Sequence, residues 1–207
     1  AWHAHEMLWG FIATIAVAFL MTAGANWTGI NPMRGSVLAV ACVLWLVARI
    51  GFLVGSGNVF RIAMTAELLF FLLGAVAMMR AVYRARNARN YAVPWLLVGL
   101  AAADALYLST ARDGDFALLM QRFDAGLLVM AMIALLIARR VIPFFANRAV
   151  QGLAIPMQTR IGQVQLAGCL GAVVFVLAGW RIPLAAALGL AGALSLVAST
   201  ALAQSRP

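Results

Sequence analysis

The chain has 207 residues, of which 65% are hydrophobic and only 10% charged, and its mean hydropathy is +0.99. About a quarter of a typical soluble domain is charged, so this composition excludes a water-soluble globular enzyme or binding module. The fifteen basic residues, all arginine, face six acids and give a formal net charge of +9, an excess that in such a chain belongs to cytoplasmic loops and lipid headgroups, with no nucleic acid implied.

A membrane helix needs about 20 apolar residues, and about seven spans of that order can be drawn, giving an all-α polytopic transmembrane helical bundle in a single domain over residues 1–207. The first span runs from about His3 to Ala25 and ends at Asn26 to Pro32, a stretch rich in breakers. The second covers about Gly35 to Val54 and closes at Gly55-Ser56-Gly57-Asn58. The third, about Val59 to Met79, is followed by Arg80, Arg84, Arg86 and Arg89. The fourth, about Tyr91 to Leu108, carries Pro94 in its first turn, where a missing N–H costs little. The fifth spans about Phe116 to Ile137 and precedes Arg139-Arg140-Val141-Ile142-Pro143. The sixth and seventh, about Ile161 to Ala178 and Pro183 to Ala203, are almost free of polar groups. Cys42 and Cys169 fall inside apolar runs and read as small buried hydrophobes.

Alternating the spans puts Arg34, the Arg80 to Arg89 cluster, Arg139, Arg140, Arg148, Arg160 and Arg206 on one side, and Arg61, Arg112 and Arg181 on the other. The positive-inside rule makes the first side cytoplasmic. Both histidines of the chain, His3 and His5, then lie near the outer face together with Glu6.

Ionisable residues within a span are functional candidates because the bilayer makes them costly. Besides the opening stretch these are Arg49, Glu67, Asp104, Arg122 and Asp124. Arg49, close to a span end, reads as snorkelling to the interface. Glu67 or Asp104 paired with Arg122 would form a structural lock, and the alternative is a polar path or proton relay. In a regular helix His3 and His5 point about 200° apart, so they cannot share one metal, whereas His3 and Glu6 share a face. The histidines therefore serve two sites, or one is a ligand and the other a hydrogen-bond partner. Met7, Met21 and Met33 could add thioether donors for copper(I), although methionines in apolar helices are more often packing. The plain alternative for both histidines is a polar helix start sitting between the interfacial rings of Trp2 and Trp9.

Trp2-His3-Ala4-His5-Glu6-Met7-Leu8-Trp9-Gly10-Phe11, followed by Phe19-Leu20-Met21-Thr22-Ala23 and Asn26-Trp27-Thr28-Gly29, resembles the opening of the NnrS family of bacterial inner-membrane proteins linked to the nitric oxide response. Leu44-Trp45-Leu46-Val47-Ala48-Arg49, Arg86-Asn87-Ala88-Arg89-Asn90 and Arg140-Val141-Ile142-Pro143-Phe144-Phe145-Ala146-Asn147 extend the resemblance over about residues 2–150. It implies haem of b type, with copper as a second cofactor. His3 and His5 would be candidate ligands, each to its own centre, with Glu6 orienting an imidazole. Arg140 and Asn147 would be candidates for a haem propionate or lipid headgroup. The resemblance also implies about twelve helices, so that a first helix, most of a second half and further ligands would lie in other parts of the protein or in other subunits. In the fourth span this sequence has Asp104 and Tyr107 where the family often carries Asn and His, and it has Ala138-Arg139 in place of a Gly-Gly. The alternative function is a non-catalytic transporter-like or accessory membrane subunit in which Glu67, Asp104, Arg122 and Asp124 line a polar path.

Overall fold

The computed structural model describes residues 2–149 and 159–180, with 186, 188–190, 192–193 and 197; for residues 140 and 159–161 it describes the backbone alone. All regular structure among the described residues is helical. Five helices are long and apolar enough to cross a membrane, as the all-α reading requires: α1 (Trp2–Thr28), α2 (Ser36–Val54), α3 (Gly57–Arg84), α4 (Ala92–Thr110) and α5 (Phe116–Ala149). A further helix, α6 (Thr159–Leu177), has a shorter apolar stretch, Gly162–Leu177. The expected span Pro183 to Ala203 lies largely outside the described residues.

Helix ends follow local chemistry. α1 and α2 stop at Gly29 and Gly55, whose φ angles of 70° and 66° are left-handed, and whose N–H groups close the last turns onto Ala25 O and Gly51 O. Asp115 Oδ1 accepts the N–H of Leu118 at 3.0 Å and so caps the start of α5. α5 does not end near Ile137 as expected but continues through Pro143 to Ala149.

The chain divides into two compact units, Ala1–Gly126 and Leu127–Pro207. Within the first, α3 packs against α1, α2 and α4. Its interior holds Trp9, Leu20, Phe71, Met78, Leu97, Leu100 and Tyr107. α2 buries only Ala41, Ala48, Gly51 and Phe52, while Leu38, Val43, Leu46, Ile50 and Leu53 point outward, the distribution suited to a lipid solvent. Asn87 Nδ2 donates to Trp27 O at 3.0 Å, which ties the turn after α3 to the end of α1. At the opposite end Trp2, Gly55, Ala111 and Arg112 surround one small cavity.

α1 is irregular where it matters. Residues Glu6–Ala13 form a π-helical segment, a rare widening that concentrates at functional sites. Side chains stabilise the widened turn, since Thr14 Oγ1 donates to Trp9 O at 3.1 Å and Trp45 Nε1 donates to Gly10 O at 3.2 Å.

Candidate functional site

Four helices of the first unit each deliver ionisable groups to one buried point. α1 brings His5 and Glu6, α2 Arg49, α3 Glu67 and α4 Asp104. His5 Nε2 lies 2.9 Å from Asp104 Oδ1 and 3.2 Å from Glu67 Oε2, and its Nδ1 lies 3.6 Å from Glu6 Oε1. Arg49 closes the group with its planar fork: Nη1 donates to Glu6 Oε2 at 2.5 Å, and Nη2 donates to Glu67 Oε1. His5 and Glu67 are 2% exposed and Asp104 is 0% exposed. By helical rise, Arg49, Asp104 and Glu67 sit roughly 9–15 Å in from their helix ends at Gly55, Ala111 and Gly57.

Aromatic rings wall the imidazole. Trp9 and Tyr107 lie nearly parallel to it with centroids at 5.4 and 5.6 Å, and Phe52 meets it edge-on at 5.0 Å. This apolar wall lowers the local dielectric, so the ionic contacts are stronger than in water and an unpaired charge more costly. Three carboxylates face one guanidinium, which leaves the group a formal charge of −2 with the imidazole neutral. Three buried oxygens, Glu6 Oε1, Glu67 Oε2 and Asp104 Oδ2, accept no hydrogen bond among the described residues, the first two facing His5 nitrogens at 3.6 and 3.2 Å. Beside His5 a cavity of about 280 Å³ reaches the helix ends, lined by Trp2, Phe52, Phe60, Tyr107 and Arg112.

The local sequence explains the convergence. Gly10 is needed because a Cβ there would meet the Arg49 guanidinium and Glu6 Oε2, the latter at 2.7 Å. Gly51 brings α2 against α3, since its Cβ would lie 2.7 Å from the Ala63 Cβ. The stretches Trp2 to Phe11 and Leu44 to Arg49 therefore touch through both an ion pair and the Trp45 bond to Gly10.

The family model described as NnrS protein matches residues 1–206. The chain belongs to the NnrS family. The match extends past the residues 2–150 on which the resemblance was read, into the last apolar segments. Among curated proteins and solved structures nothing matches the chain.

In this NnrS-family chain the candidate residues do not form one site. His5, Glu6, Glu67 and Asp104 come together, whereas His3 is exposed on the same helix. Glu6 contacts His5 and Arg49. Arg122 is not the partner of Glu67 or Asp104: Arg49 takes Glu67 and His5 takes Asp104. Arg122 is half-buried and Asp124 exposed, since Phe123 between them points its ring at Trp9 and Tyr107. Arg140 and Asn147 belong to the second unit; Asn147 is exposed, and for Arg140 only the backbone is described.

Arg49 is the residue that sequence reasoning placed in the wrong setting. Its side chain is only 11% exposed and ends on the carboxylates of Glu6 and Glu67. The available signal was its position six residues ahead of Gly55, about 9 Å of helix inside the span. Tyr107 entered as a departure from the family pattern and proves to be part of the wall around His5.

A haem fits neither nitrogen of His5. Both face carboxylates, the ring is walled by aromatics, and the adjoining cavity of about 280 Å³ is at or below the small end of the roughly 300–1,000 Å³ usual for ligand pockets. A larger apolar groove of about 770 Å³ lies along α1 and α2, with Met21, Met33 and Cys42 among its lining residues.

Proposed function

We propose that this NnrS-family chain is a bacterial inner-membrane haem protein acting in the response to nitric oxide and nitrosative stress, with His3 as its haem ligand. The observation that carries this reading is the meeting of the family-like stretches of α1 and α2 at the buried His5 group, beside which His3 is the one imidazole left open. Bound haem of b type would supply an iron able to ligate small diatomic molecules. The chain's own part is to present His3 at the mouth of α1, while the ion-paired group below fixes that end of the helix. Copper(I), a soft ion, would find thioether and thiol donors in the groove lined by Met21, Met33 and Cys42.

Orientation supports the same reading. Arg34, Arg86 and Arg89 sit in the turns at the end tied by Asn87 and Trp27, whereas the His5 end carries Arg61 and Arg112. The positive-inside rule places the first end in the cytoplasm and His3 and His5 toward the outer face. The transporter-like alternative is weaker, because Arg122 and Asp124 make no ion pair with the buried group among the described residues.

The test is the absorption spectrum of protein purified from haem-replete cells. A Soret band that His3→Ala abolishes and Asp104→Asn leaves intact is expected, together with a b-type pyridine haemochrome. Cells complemented with His3→Ala should grow more slowly than wild type under a nitric oxide donor. An undiminished Soret band in His3→Ala would remove the ligand assignment and turn attention to the groove methionines.

A further inference from the structure

We infer that His5, Glu67 and Asp104 form a binding site for a single divalent first-row metal ion of the manganese, iron(II) or zinc type, separate from haem. The three residues each offer a donor atom, and these atoms all lie within 4.8 Å of one another. Metal–nitrogen and metal–oxygen bonds to such ions are about 2.0–2.2 Å, so small rotations of the side chains bring the three donors onto a common centre.

Three further observations point to an ion rather than to a closed ionic lock. Asp104 Oδ2 is buried without a hydrogen bond, and Glu67 Oε2 meets only the His5 Nε2 that Asp104 Oδ1 already approaches at 2.9 Å, an arrangement that costs free energy unless something occupies it. Three carboxylates meet one guanidinium and one imidazole, an excess of acidic groups that a bound cation would offset, and uncompensated charge inside a bilayer is costly. The cavity of about 280 Å³ leads from the helix ends to His5 and gives a small ion an entry that a porphyrin lacks.

The surrounding residues would orient these donors. Glu6 Oε1 faces His5 Nδ1, so with the ring proton on Nδ1 it turns toward Glu6 and leaves the Nε2 lone pair for the ion. Arg49 holds Glu67 by Oε1, which keeps Oε2 on the side of His5. The donors are one imidazole and two carboxylates with no sulfur, a set that suits borderline and hard divalent ions and is poor for copper(I).

This inference does not depend on the haem reading, because it uses His5 and not His3. Full-length protein in nanodiscs, stripped with chelator, would be titrated calorimetrically with manganese(II) or zinc(II) alone. One ion per chain is expected. His3→Ala should bind it equally well, and Asp104→Asn and Glu67→Gln should each weaken it about 10–100-fold. Manganese-loaded wild type should also show nitrogen hyperfine coupling from one imidazole by pulsed electron paramagnetic resonance, a readout that needs no variant to fold. Absence of a saturable site in the wild type, unchanged affinity in Asp104→Asn, or manganese without nitrogen coupling would each overturn the assignment.

Discussion

The group at His5 depends on Arg49, and replacing that residue is the sharpest probe of the arrangement. Arg49→Leu removes the one guanidinium that holds Glu6 and Glu67 and leaves three carboxylates opposed only by an imidazole. Breaking a buried ion pair by deleting one partner costs about 3–5 kcal/mol. For a chain of this size 1 kcal/mol corresponds to roughly 2–4 °C, so the melting temperature of ion-depleted protein in nanodiscs should fall by roughly 6–20 °C. Most of this loss would come from stranding carboxylates, so removing one of them should recover part of it. The double variant Arg49→Leu, Glu67→Gln should therefore be more stable than the sum of the single effects implies, with a coupling of about 0.5–3 kcal/mol expected for groups in one network. Arg49→Lys keeps the charge but not the fork, and should fall between wild type and Arg49→Leu. A drop under about 2 °C for Arg49→Leu, or strictly additive effects in the double variant, would refute the ion-paired group as drawn.

Two other perturbations test the frame around it. Gly10→Ala places a Cβ against the Arg49 guanidinium and 2.7 Å from Glu6 Oε2, so the guanidinium must move; an overpacking cost of about 1–3 kcal/mol should appear in thermal melts, and an unchanged melt would mean that Arg49 does not lie over that backbone. Single cysteines at Asp113 and Arg86, introduced with Cys42 and Cys169 replaced, should react with a membrane-impermeant maleimide from opposite sides, Asp113→Cys in intact spheroplasts and Arg86→Cys only after lysis; labelling from one side would contradict the proposed orientation.

The spans were legible in the sequence because hydrophobic length is a local property, and breakers such as Gly29 and Gly55 lie where the helices stop. The far end of α5 was not legible in this way, because the apolar run stops near Ile137 whereas the helix continues past Arg139, Arg140 and Pro143 to Ala149. The members of the site were mostly legible too: buried ionisable residues are few, and His5, Glu6, Glu67 and Asp104 stood out as such. Their pairing was not. Which acid meets which base depends on the rotation of four helices, and one of them changes phase through a π segment that no residue in Glu6–Ala13 announces. Arg49 was assigned to the interface by its nearness to a helix end, yet the same residue closes the group because Gly10 leaves room for its guanidinium.

Asp104 and Tyr107 both face His5, one as its closest hydrogen-bond partner and one as a near-parallel ring. Asp104 sets a carboxylate at a 0% exposed position, where a negative charge must be matched by a cation in a bilayer. Tyr107 brings a phenol rather than a further nitrogen donor to the same wall. Both residues make the group anionic and oxygen-rich. With His5 as its only nitrogen donor, such a group discriminates by charge and hardness, and it favours a small divalent cation over both a soft monovalent metal and a porphyrin iron.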